Sequence, residues 1–166
     1  MDGGILKRAK GIKLFVSDID GVWTDGTIIM NADGSESVVF SILDGFGLMS
    51  LMNAGIEVAI ISGRDNPAVA ARAKKLKIEE VHLGFLNKGE LIQDIIGRRG
   101  LQSDQVASIG DDLPDLEMFE HSALRFAPPN AVAAVKAAAD YVCSTAAGHG
   151  AVREVCDLLL SAKSDN

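Results

Sequence analysis

The stretch Ile12-Lys-Leu-Phe-Val-Ser-Asp-Ile-Asp-Gly21 is a short apolar run that ends in two aspartates separated by one residue. Further short runs rich in Val and Ile follow it, and amphipathic stretches of helical period separate them. This alternation is typical of a parallel sheet wrapped by crossover helices. The sequence therefore predicts a doubly wound α/β fold.

The predicted elements alternate along the whole chain. The strands are expected at Ile12 to Ser17, Val58 to Ser62, Val81 to Gly84, Val106 to Gly110, Leu124 to Ala127 and Tyr141 to Cys143. The helices are expected at about Gly47 to Asn53, Pro67 to Leu76, Lys88 to Arg99, Pro114 to Glu120, Ala131 to Ala139 and Ala151 to Ser161. Pro67 and Pro114 fit first-turn positions, where a missing N–H costs nothing.

One segment interrupts this alternation directly after the first strand. Two short apolar stretches, Thr27 to Met30 and Ser37 to Phe40, flank a turn that contains Asp33-Gly34. Such a pattern predicts a β-hairpin, inserted at about residues 27–40. Residues 1–166 otherwise read as a single domain with a C-terminal tail at about 146–166, and only Lys163 to Asn166 are expected to be disordered.

Composition restricts the class of protein. The chain has 166 residues, of which 48% are hydrophobic, which suffices for one buried core without disulfides or structural metals. Lys and Arg number 16 against 23 Asp and Glu, a formal net charge of −7. This balance argues against nucleic acid or an anionic membrane as partner. An anionic substrate would therefore need a local cationic pocket.

Cysteines and hydropathy indicate the compartment. Cys143 and Cys156 are too few and too close to the C-terminus for a disulfide framework, so buried reduced thiols are expected. The N-terminal segment has no apolar run long enough for a signal peptide, and no window approaches the roughly 20 apolar residues of a membrane span. We therefore expect a cytoplasmic protein.

Acidic residues gather where predicted strands end. Asp18 and Asp20 follow the first strand, and Asp111, Asp112 and Asp115 follow the fourth. Either cluster alone is equally well explained by turns or helix caps. Open α/β sheets bind ligands beyond the carboxyl ends of their strands, and converging carboxylates repel one another unless a cation neutralises them. The two clusters together therefore predict a site for a hard cation such as Mg²⁺.

The spacing of the first pair also suggests a reaction. With one residue between them, Asp18 and Asp20 can share a loop and point in different directions. One carboxylate can then attack phosphorus while the other faces the leaving group. Transfer of a phosphoryl group to a carboxylate needs a second group that protonates the departing alkoxide and deprotonates water, and Asp20 would supply it.

At this point the chain resembles the haloacid dehalogenase superfamily of phosphotransferases. Its four motifs occur in order: Asp18-Ile-Asp20-Gly-Val, Ile-Ile-Ser62-Gly-Arg64, Leu-Asn-Lys88-Gly-Glu and Gly110-Asp111-Asp112-Leu-Pro-Asp115. The resemblance implies a Rossmann-like core in which Asp18 is the nucleophile and Asp20 the acid/base. It also implies that Ser62 and Lys88 bind the phosphoryl group. The implied metal site holds Mg²⁺ with Asp18, the Asp20 carbonyl, Asp111 and Asp112, where Asp115 is an alternative to Asp112.

Outside the motifs, the chain resembles the capless 3-deoxy-D-manno-octulosonate 8-phosphate phosphatase family. The similar stretches are Gly21-Val-Trp-Thr-Asp-Gly26, Leu43-Asp-Gly-Phe-Gly47, Gly63-Arg64 and the tail from Gly148 to Asp157. Neither insertion point has room for a cap domain, and only the hairpin fills the first. Closure of the site is therefore expected from another subunit, and the resemblance implies a homotetramer.

The same resemblance implies a sugar-acid phosphate substrate and an aspartyl-phosphate intermediate, in precursor synthesis for cell-surface lipopolysaccharide. The expected substrate contacts are Asp20, Ser41, Asp44, Gly45, Arg64, Arg72, Lys88 and Arg153. Arg153 is equally well explained as a surface residue of the last helix, whereas for Arg72 a functional role is favoured over a solvated one. Leu43 departs from the family pattern, which has arginine there. A nine-carbon ulosonate 9-phosphate phosphatase, a broad-specificity phosphatase and an inactive oligomerisation module therefore stay as alternatives.

Overall fold

A six-stranded parallel sheet forms the centre of the computed structural model, which describes residues 3–164. Its strands are β1 (Leu14–Ser17), β4 (Glu57–Ser62), β5 (Glu80–Leu83), β6 (Val106–Ile109), β7 (Leu124–Ala127) and β8 (Tyr141–Val142). Their spatial order is β5-β4-β1-β6-β7-β8. The first strand lies in the middle and the chain winds outward in both directions, so the doubly wound prediction is confirmed.

Helices cover the sheet on both faces. They are α1 (Gly3–Ala9), α2 (Ile42–Asn53), α3 (Pro67–Lys75), α4 (Lys88–Arg98), α5 (Leu116–Phe119), α6 (Ala133–Ala138) and α7 (Ala151–Ser164). Short 3₁₀ turns occupy Ser103–Gln105 and Leu113–Asp115. Within residues 3–164, no helix combines the length and apolar character that a membrane crossing requires.

Successive residues of β1 point to opposite faces of the sheet, as the strand period of two requires. Phe15 belongs to the larger core cluster, where the sheet meets residues of α1, α2 and α7. Leu14 and Val16 belong to a second cluster, with Ile92 and Ile95 of α4. Because both faces of this strand are buried, its sequence reads as a continuous apolar run rather than an alternating one.

The hairpin forms, with shorter strands than the sequence suggested. β2 (Ile29–Met30) pairs antiparallel with β3 (Glu36–Ser37), so the second strand lies earlier than the expected Ser37 to Phe40. Asp33 accepts hydrogen bonds from the Ser35 amide and hydroxyl, at 3.0 and 2.6 Å, and fixes the turn. Within residues 3–164 the hairpin is followed directly by α2 and the rest of the core, without a cap domain, as predicted.

Several helices differ from expectation. Helix α1 was not predicted, and α2 begins at Ile42 rather than near Gly47 because the Ser41 hydroxyl caps it by accepting from the Leu43 amide at 3.2 Å. The expected disorder at Lys163 and Ser164 is wrong, because both residues continue α7. The rest of that prediction, at 165–166, lies outside the described residues.

Helices α2 and α7 approach each other closely at Gly47. A Cβ atom there would lie 2.9 Å from Arg153 Cδ and 3.1 Å from Cys156 Cβ. Such separations are too short for carbon atoms, so the absence of a side chain sets the distance between the two helices.

We therefore expect Gly47→Ala to lower the free energy of unfolding by about 1–3 kcal/mol, since it forces an extra carbon into a packed interface. Gly97→Ala in α4 is the matched control, because no described atom beyond the local helix backbone and the adjacent residues lies within 4 Å of the added carbon. It should raise stability by up to about 1 kcal/mol through helix propensity. Urea unfolding at equal protomer concentration measures both. Equal stabilisation by the two substitutions would contradict the packing argument.

Candidate active site

The carboxylate of Asp18 lies at the carboxyl end of β1, at the point where the chain winds in both directions. Asp18 is 6% exposed, and its amide donates to the Ile109 carbonyl of the neighbouring β6 at 3.1 Å. The Ser17 hydroxyl donates to the Asp18 carbonyl at 2.7 Å and accepts from the Trp23 indole at 2.8 Å. The backbone that presents the first aspartate is therefore held from both sides.

Lys88 reaches this carboxylate from the first turn of α4. Its Nζ donates to Asp18 Oδ1 at 2.6 Å and to Asp115 Oδ1 at 2.5 Å, and the residue is 4% exposed. Burial opposes the charge of Lys88, but the attraction of Asp18 and Asp115 outweighs it and raises the pKa of the ammonium. Lys88 is therefore a fixed cation between two carboxylates, and a surface role is excluded.

Asp115 organises the loop that follows β6. Its Oδ2 accepts from the amides of Asp111 and Asp112, at 2.8 and 3.1 Å, while its Oδ1 binds Lys88. Asp112 turns away to cap the 3₁₀ turn, and its Oδ1 accepts from the Leu113 amide at 2.8 Å. The structure thus favours Asp115 over Asp112 as the carboxylate near Asp18, whereas the predicted metal set contained Asp112.

The arrangement of Asp18, Asp111 and Asp115 fits a divalent cation. One carboxylate oxygen from each lies within 4.8 Å of the other two. Burial and the charges of Asp115 and Asp112 raise the pKa of Asp111 to about 7, and burial with Asp115 raises the pKa of Asp18 against the opposing effect of Lys88. Oxygen ligands and uncompensated negative charge are what Mg²⁺ prefers. Since Asp115 already binds three donors, Asp18 and Asp111 have the freer oxygens.

These side chains line one cavity of about 300 Å³. Its lining comprises Asp18, Asp20, Gly26, Gly63, Arg64, Leu86, Lys88, Asp111, Asp112, Pro114 and Asp115. Ser62 is buried beside it, where its hydroxyl accepts from the Arg64 amide and donates to the Arg64 carbonyl, both at 3.2 Å. In this structure Ser62 shapes the turn, and its phosphoryl contact stays a prediction.

Arg64 lies between two acidic side chains. Its Nη2 donates to Glu36 Oε2 of the hairpin, and its Nη1 lies 3.8 Å from Asp20 Oδ1. Asn66 donates to the same Glu36 oxygen at 3.3 Å. The sequence analysis missed Glu36 and Asn66, because residues 28 and 30 positions apart leave no local pattern.

The remaining predicted substrate contacts form a second cluster at the start of α2. Arg72 donates to the Ser41 carbonyl at 3.1 Å, and its guanidinium packs against Gly45. Asp44 Oδ1 accepts from the Arg153 amide at 2.8 Å. None of these five residues lines the cavity that contains Asp18. Their substrate roles stay predictions.

The Arg153 side chain lies on the surface of α7. Its Nε donates to Asp157 Oδ1 at 2.8 Å, and its guanidinium lies 5.2 Å from the centre of the Phe46 ring. Leu43, where the family pattern has arginine, lines a cavity of about 620 Å³ together with Arg153 and His149.

The glycine-rich tail packs on its own protomer. Gly148 donates to the Val22 carbonyl at 3.2 Å, and a Cβ atom at Gly148 would lie 2.8 Å from the Asp25 amide nitrogen. Asn130 contacts the same loop, where its side-chain amide donates to the Gly21 carbonyl at 2.9 Å. Gly148 and Asn130 therefore support the loop that follows β1 in the same chain.

Comparisons with known proteins agree with this geometry. Residues 80–155 match a model of haloacid dehalogenase-like hydrolases. The chain is 40% identical over 157 residues to the 3-deoxy-D-manno-octulosonate 8-phosphate phosphatase KdsC of Haemophilus influenzae, covering 95% of this chain and 87% of that protein. The KdsC of Escherichia coli K12 is 39% identical over 159 residues, covering 96% and 85%.

Solved structures give the same result. The 3-deoxy-D-manno-octulosonate 8-phosphate phosphatase of Moraxella catarrhalis, solved with a magnesium ion, a phosphate ion and KDO, superimposes with a TM-score of 0.96 at 39% identity. That match covers 99% of this chain and 95% of the other. A cobalt-bound phosphatase of Haemophilus influenzae gives 0.91 at 39% identity, covering 95% and 92%.

The repulsion among the aspartates predicts an effect of Asp111→Asn on stability. A carboxyl whose pKa rises from 3.8 to about 7 on folding favours the fold at low pH and loses that contribution as pH rises through about 7. In EDTA, Asp111→Asn should therefore melt higher than the wild type near pH 8, and the difference should shrink near pH 5. Saturating Mg²⁺ should raise the melting temperature of the wild type far more than that of the variant.

Asp104→Asn is the control, because it removes a carboxylate from the opposite end of β6. It should leave the response to Mg²⁺ unchanged. Equal Mg²⁺ responses in wild type and Asp111→Asn would contradict a metal site at Asp111.

Proposed function

Because the chain belongs to the 3-deoxy-D-manno-octulosonate 8-phosphate phosphatase family of haloacid dehalogenase-like hydrolases, we propose that it converts this sugar-acid phosphate into the free sugar acid and inorganic phosphate. The enzyme is a phosphoric monoester hydrolase. The observation that carries the proposal is the buried contact of Lys88 with Asp18 and Asp115, beside Asp20 and Asp111 in one cavity. Its place in the cytoplasm and in lipopolysaccharide precursor synthesis belongs to the same proposal.

Asp18 acts as the nucleophile. Its carboxylate oxygen attacks phosphorus, the bond from phosphorus to the sugar oxygen breaks, and an acyl phosphate forms on Asp18. Lys88 holds the Asp18 carboxylate in one orientation, since its short contact to Oδ1 restricts rotation and leaves Oδ2 as the attacking atom. Its ammonium also lies where the transferred oxygens gain negative charge, which stabilises the transition state.

Asp20 transfers the protons. It lines the cavity beside Asp18 and its side chain is 28% exposed, so it can reach the leaving group. Asp20 protonates the departing sugar alkoxide and then takes a proton from the water that attacks phosphorus in the second step. The Arg64 side chain, at the same cavity, offers a planar donor pair to an oxyanion of the substrate.

The carboxylates of Asp18 and Asp111 and the carbonyl of Asp20 would hold a magnesium ion in this cavity, with Asp112 or Asp115 as a further ligand. When bound, Mg²⁺ would neutralise the converging carboxylates and the charge that develops on the phosphoryl oxygens.

The proposal is tested by phosphate release from three substrates: 3-deoxy-D-manno-octulosonate 8-phosphate, a nine-carbon ulosonate 9-phosphate and p-nitrophenyl phosphate. With Mg²⁺, we expect the highest kcat/KM on the first, and EDTA should abolish release. Asp18→Asn should lower kcat by about 10³-fold or more because the attacking oxygen is lost, whereas Asp104→Asn should not.

The three substrates separate the possible results. Full activity of Asp18→Asn would contradict the mechanism. A higher kcat/KM on the nine-carbon substrate would identify the enzyme as a nine-carbon ulosonate 9-phosphate phosphatase, the alternative suggested by Leu43. No phosphate release from any of the three substrates would contradict the proposed function.

The assembly we propose is a homotetramer, in which another copy covers the hairpin and the adjoining face of α2. The hairpin region and α2 expose eight large apolar side chains: Ile28, Ile29, Met30, Val39, Ile42, Leu43, Phe46 and Met49. The spacing of Ile42, Phe46 and Met49 puts them on one side of α2. A patch of this kind on a sheet edge and a helix is typical of a self-complementary interface.

Val39→Asp tests the assembly, since Val39 is 71% exposed and its replacement puts a charge into the proposed interface. We expect light scattering after gel filtration to show a tetramer for the wild type and smaller species for the variant, with unchanged circular dichroism. Val132→Asp is a control, because Val132 is also exposed but lies at the start of α6, outside both the patch and the lining of the catalytic cavity. A monomeric wild type would contradict the assembly.

A further inference from the structure

The described residues that line the cavity with Asp18 include two cations, and these differ in how closely they pair with the aspartates. Lys88 binds Asp18 and Asp115 directly. Arg64 is the other cation in the lining, with a side chain that is 41% exposed. Any substrate oxyanion that needs an arginine in this protomer's cavity must therefore bind Arg64.

Arg64 is already paired with a carboxylate of its own chain. Glu36 Oε2 accepts from Arg64 Nη2 and from the Asn66 amide group. Asn66 is 4% exposed and fixed, because its Oδ1 caps α3 by accepting from the Ala68 amide at 2.9 Å. Two donors on a rigid turn thus hold the Glu36 carboxylate on the guanidinium.

The pair lies between two cavities. Arg64 lines the cavity with Asp18 and also a second one of about 550 Å³, formed by the hairpin turn and the start of α3. Glu36 lines only the second of these. The Glu36 carboxylate can therefore move away into that space while Arg64 stays at the catalytic cavity, and the 28% exposure of its side chain means that water can solvate it there.

We propose that Glu36 is a specificity-determining residue that competes with the substrate for Arg64. A carboxylate or phosphoryl oxygen of the substrate replaces the Glu36 carboxylate on the guanidinium. A ligand that presents such an oxyanion displaces Glu36, and one without it leaves the pair intact. The inference rests on the proposed function for the identity of the substrate.

If Glu36 only positioned Arg64 and did not compete with the substrate, its replacement would have a different kinetic effect. Asp20 Oδ1 lies 3.8 Å from Arg64 Nη1 on the other side of the guanidinium. If Glu36 served only to hold Arg64 away from Asp20, its removal would let Arg64 pair with the proton-transferring carboxylate. The value of kcat and its pH profile would then change, whereas competition changes KM.

The test is Glu36→Gln, which keeps the size of the side chain and removes its charge. Exposed and half-exposed ion pairs are weak, so KM should fall by about two- to five-fold, with kcat and its pH profile unchanged. If KM falls for both 3-deoxy-D-manno-octulosonate 8-phosphate and p-nitrophenyl phosphate, Arg64 binds the phosphoryl group. If KM falls for the sugar-acid phosphate alone, Arg64 binds the sugar carboxylate.

Two comparisons isolate the pair. In an Arg64→Met background, Glu36→Gln should have no effect on KM. Asp33→Asn removes another carboxylate from the same hairpin, one that binds Ser35 rather than Arg64, and should leave KM at the wild-type value. Thermal melting of each variant establishes that it is folded.

Calorimetric binding of inorganic phosphate and of the free sugar acid separates this inference from the proposed function. A wild type that does not hydrolyse the sugar-acid phosphate refutes the function, while tighter binding of either ligand to Glu36→Gln still supports the competition. Unchanged binding of both ligands overturns it. The inference is also overturned by any of three kinetic results: a KM of Glu36→Gln that is unchanged or higher, a lower kcat, or an equal effect of Glu36→Gln in the Arg64→Met background.

Discussion

Buried carboxylates of like charge meet one ammonium group at the carboxyl edge of the sheet, and the rest of the structure depends on this contact. Asp18, Lys88 and Asp115 are each less than a tenth exposed. Removing one partner from such a buried set leaves charge uncompensated, at a cost of about 3–5 kcal/mol. With Asp111, the three ionised carboxylates carry three negative charges against the one positive charge of Lys88, and a divalent cation balances the remaining two. The carboxylates whose repulsion burdens the fold are thus the same groups that would bind the metal ion and attack phosphorus.

The parallel sheet brings these groups together. β1, β4 and β6 are neighbours and run in the same direction, so the residues after each strand emerge at one edge. Asp18, Arg64 and Asp111 reach one cavity by this route, and the first turn of α4 adds Lys88. The strands and this convergence were predictable from the sequence, because buried parallel strands read as apolar runs and their polar ends are conspicuous.

Other features depend on contacts that a sequence does not display. Hydrogen bonds within the turn determine which of Asp112 and Asp115 lies near Lys88 and Asp18, and the sequence cannot show this because both residues have the same side chain. The pairing of Glu36 with Arg64 needs the position of the hairpin relative to α3. The contacts of Asp44 and Arg153 at the start of α2 were likewise not visible in the sequence. Asp44 and Arg153 were predicted to contact substrate, and in the structure the Asp44 carboxylate binds the Arg153 amide and joins α2 to α7.

The central claim is that Asp18 carries the phosphoryl group during turnover, and chemical trapping tests it most directly. An acyl phosphate is reduced by borohydride to an alcohol, which converts that aspartate into homoserine. The enzyme is mixed with substrate and Mg²⁺, quenched with borohydride during turnover, and its peptides are analysed by mass spectrometry. The account predicts homoserine at position 18, only when substrate is present, and in greater amount in Asp20→Asn if loss of the base slows hydrolysis of the intermediate. Homoserine at another position, or none at position 18 in an active sample, would contradict it.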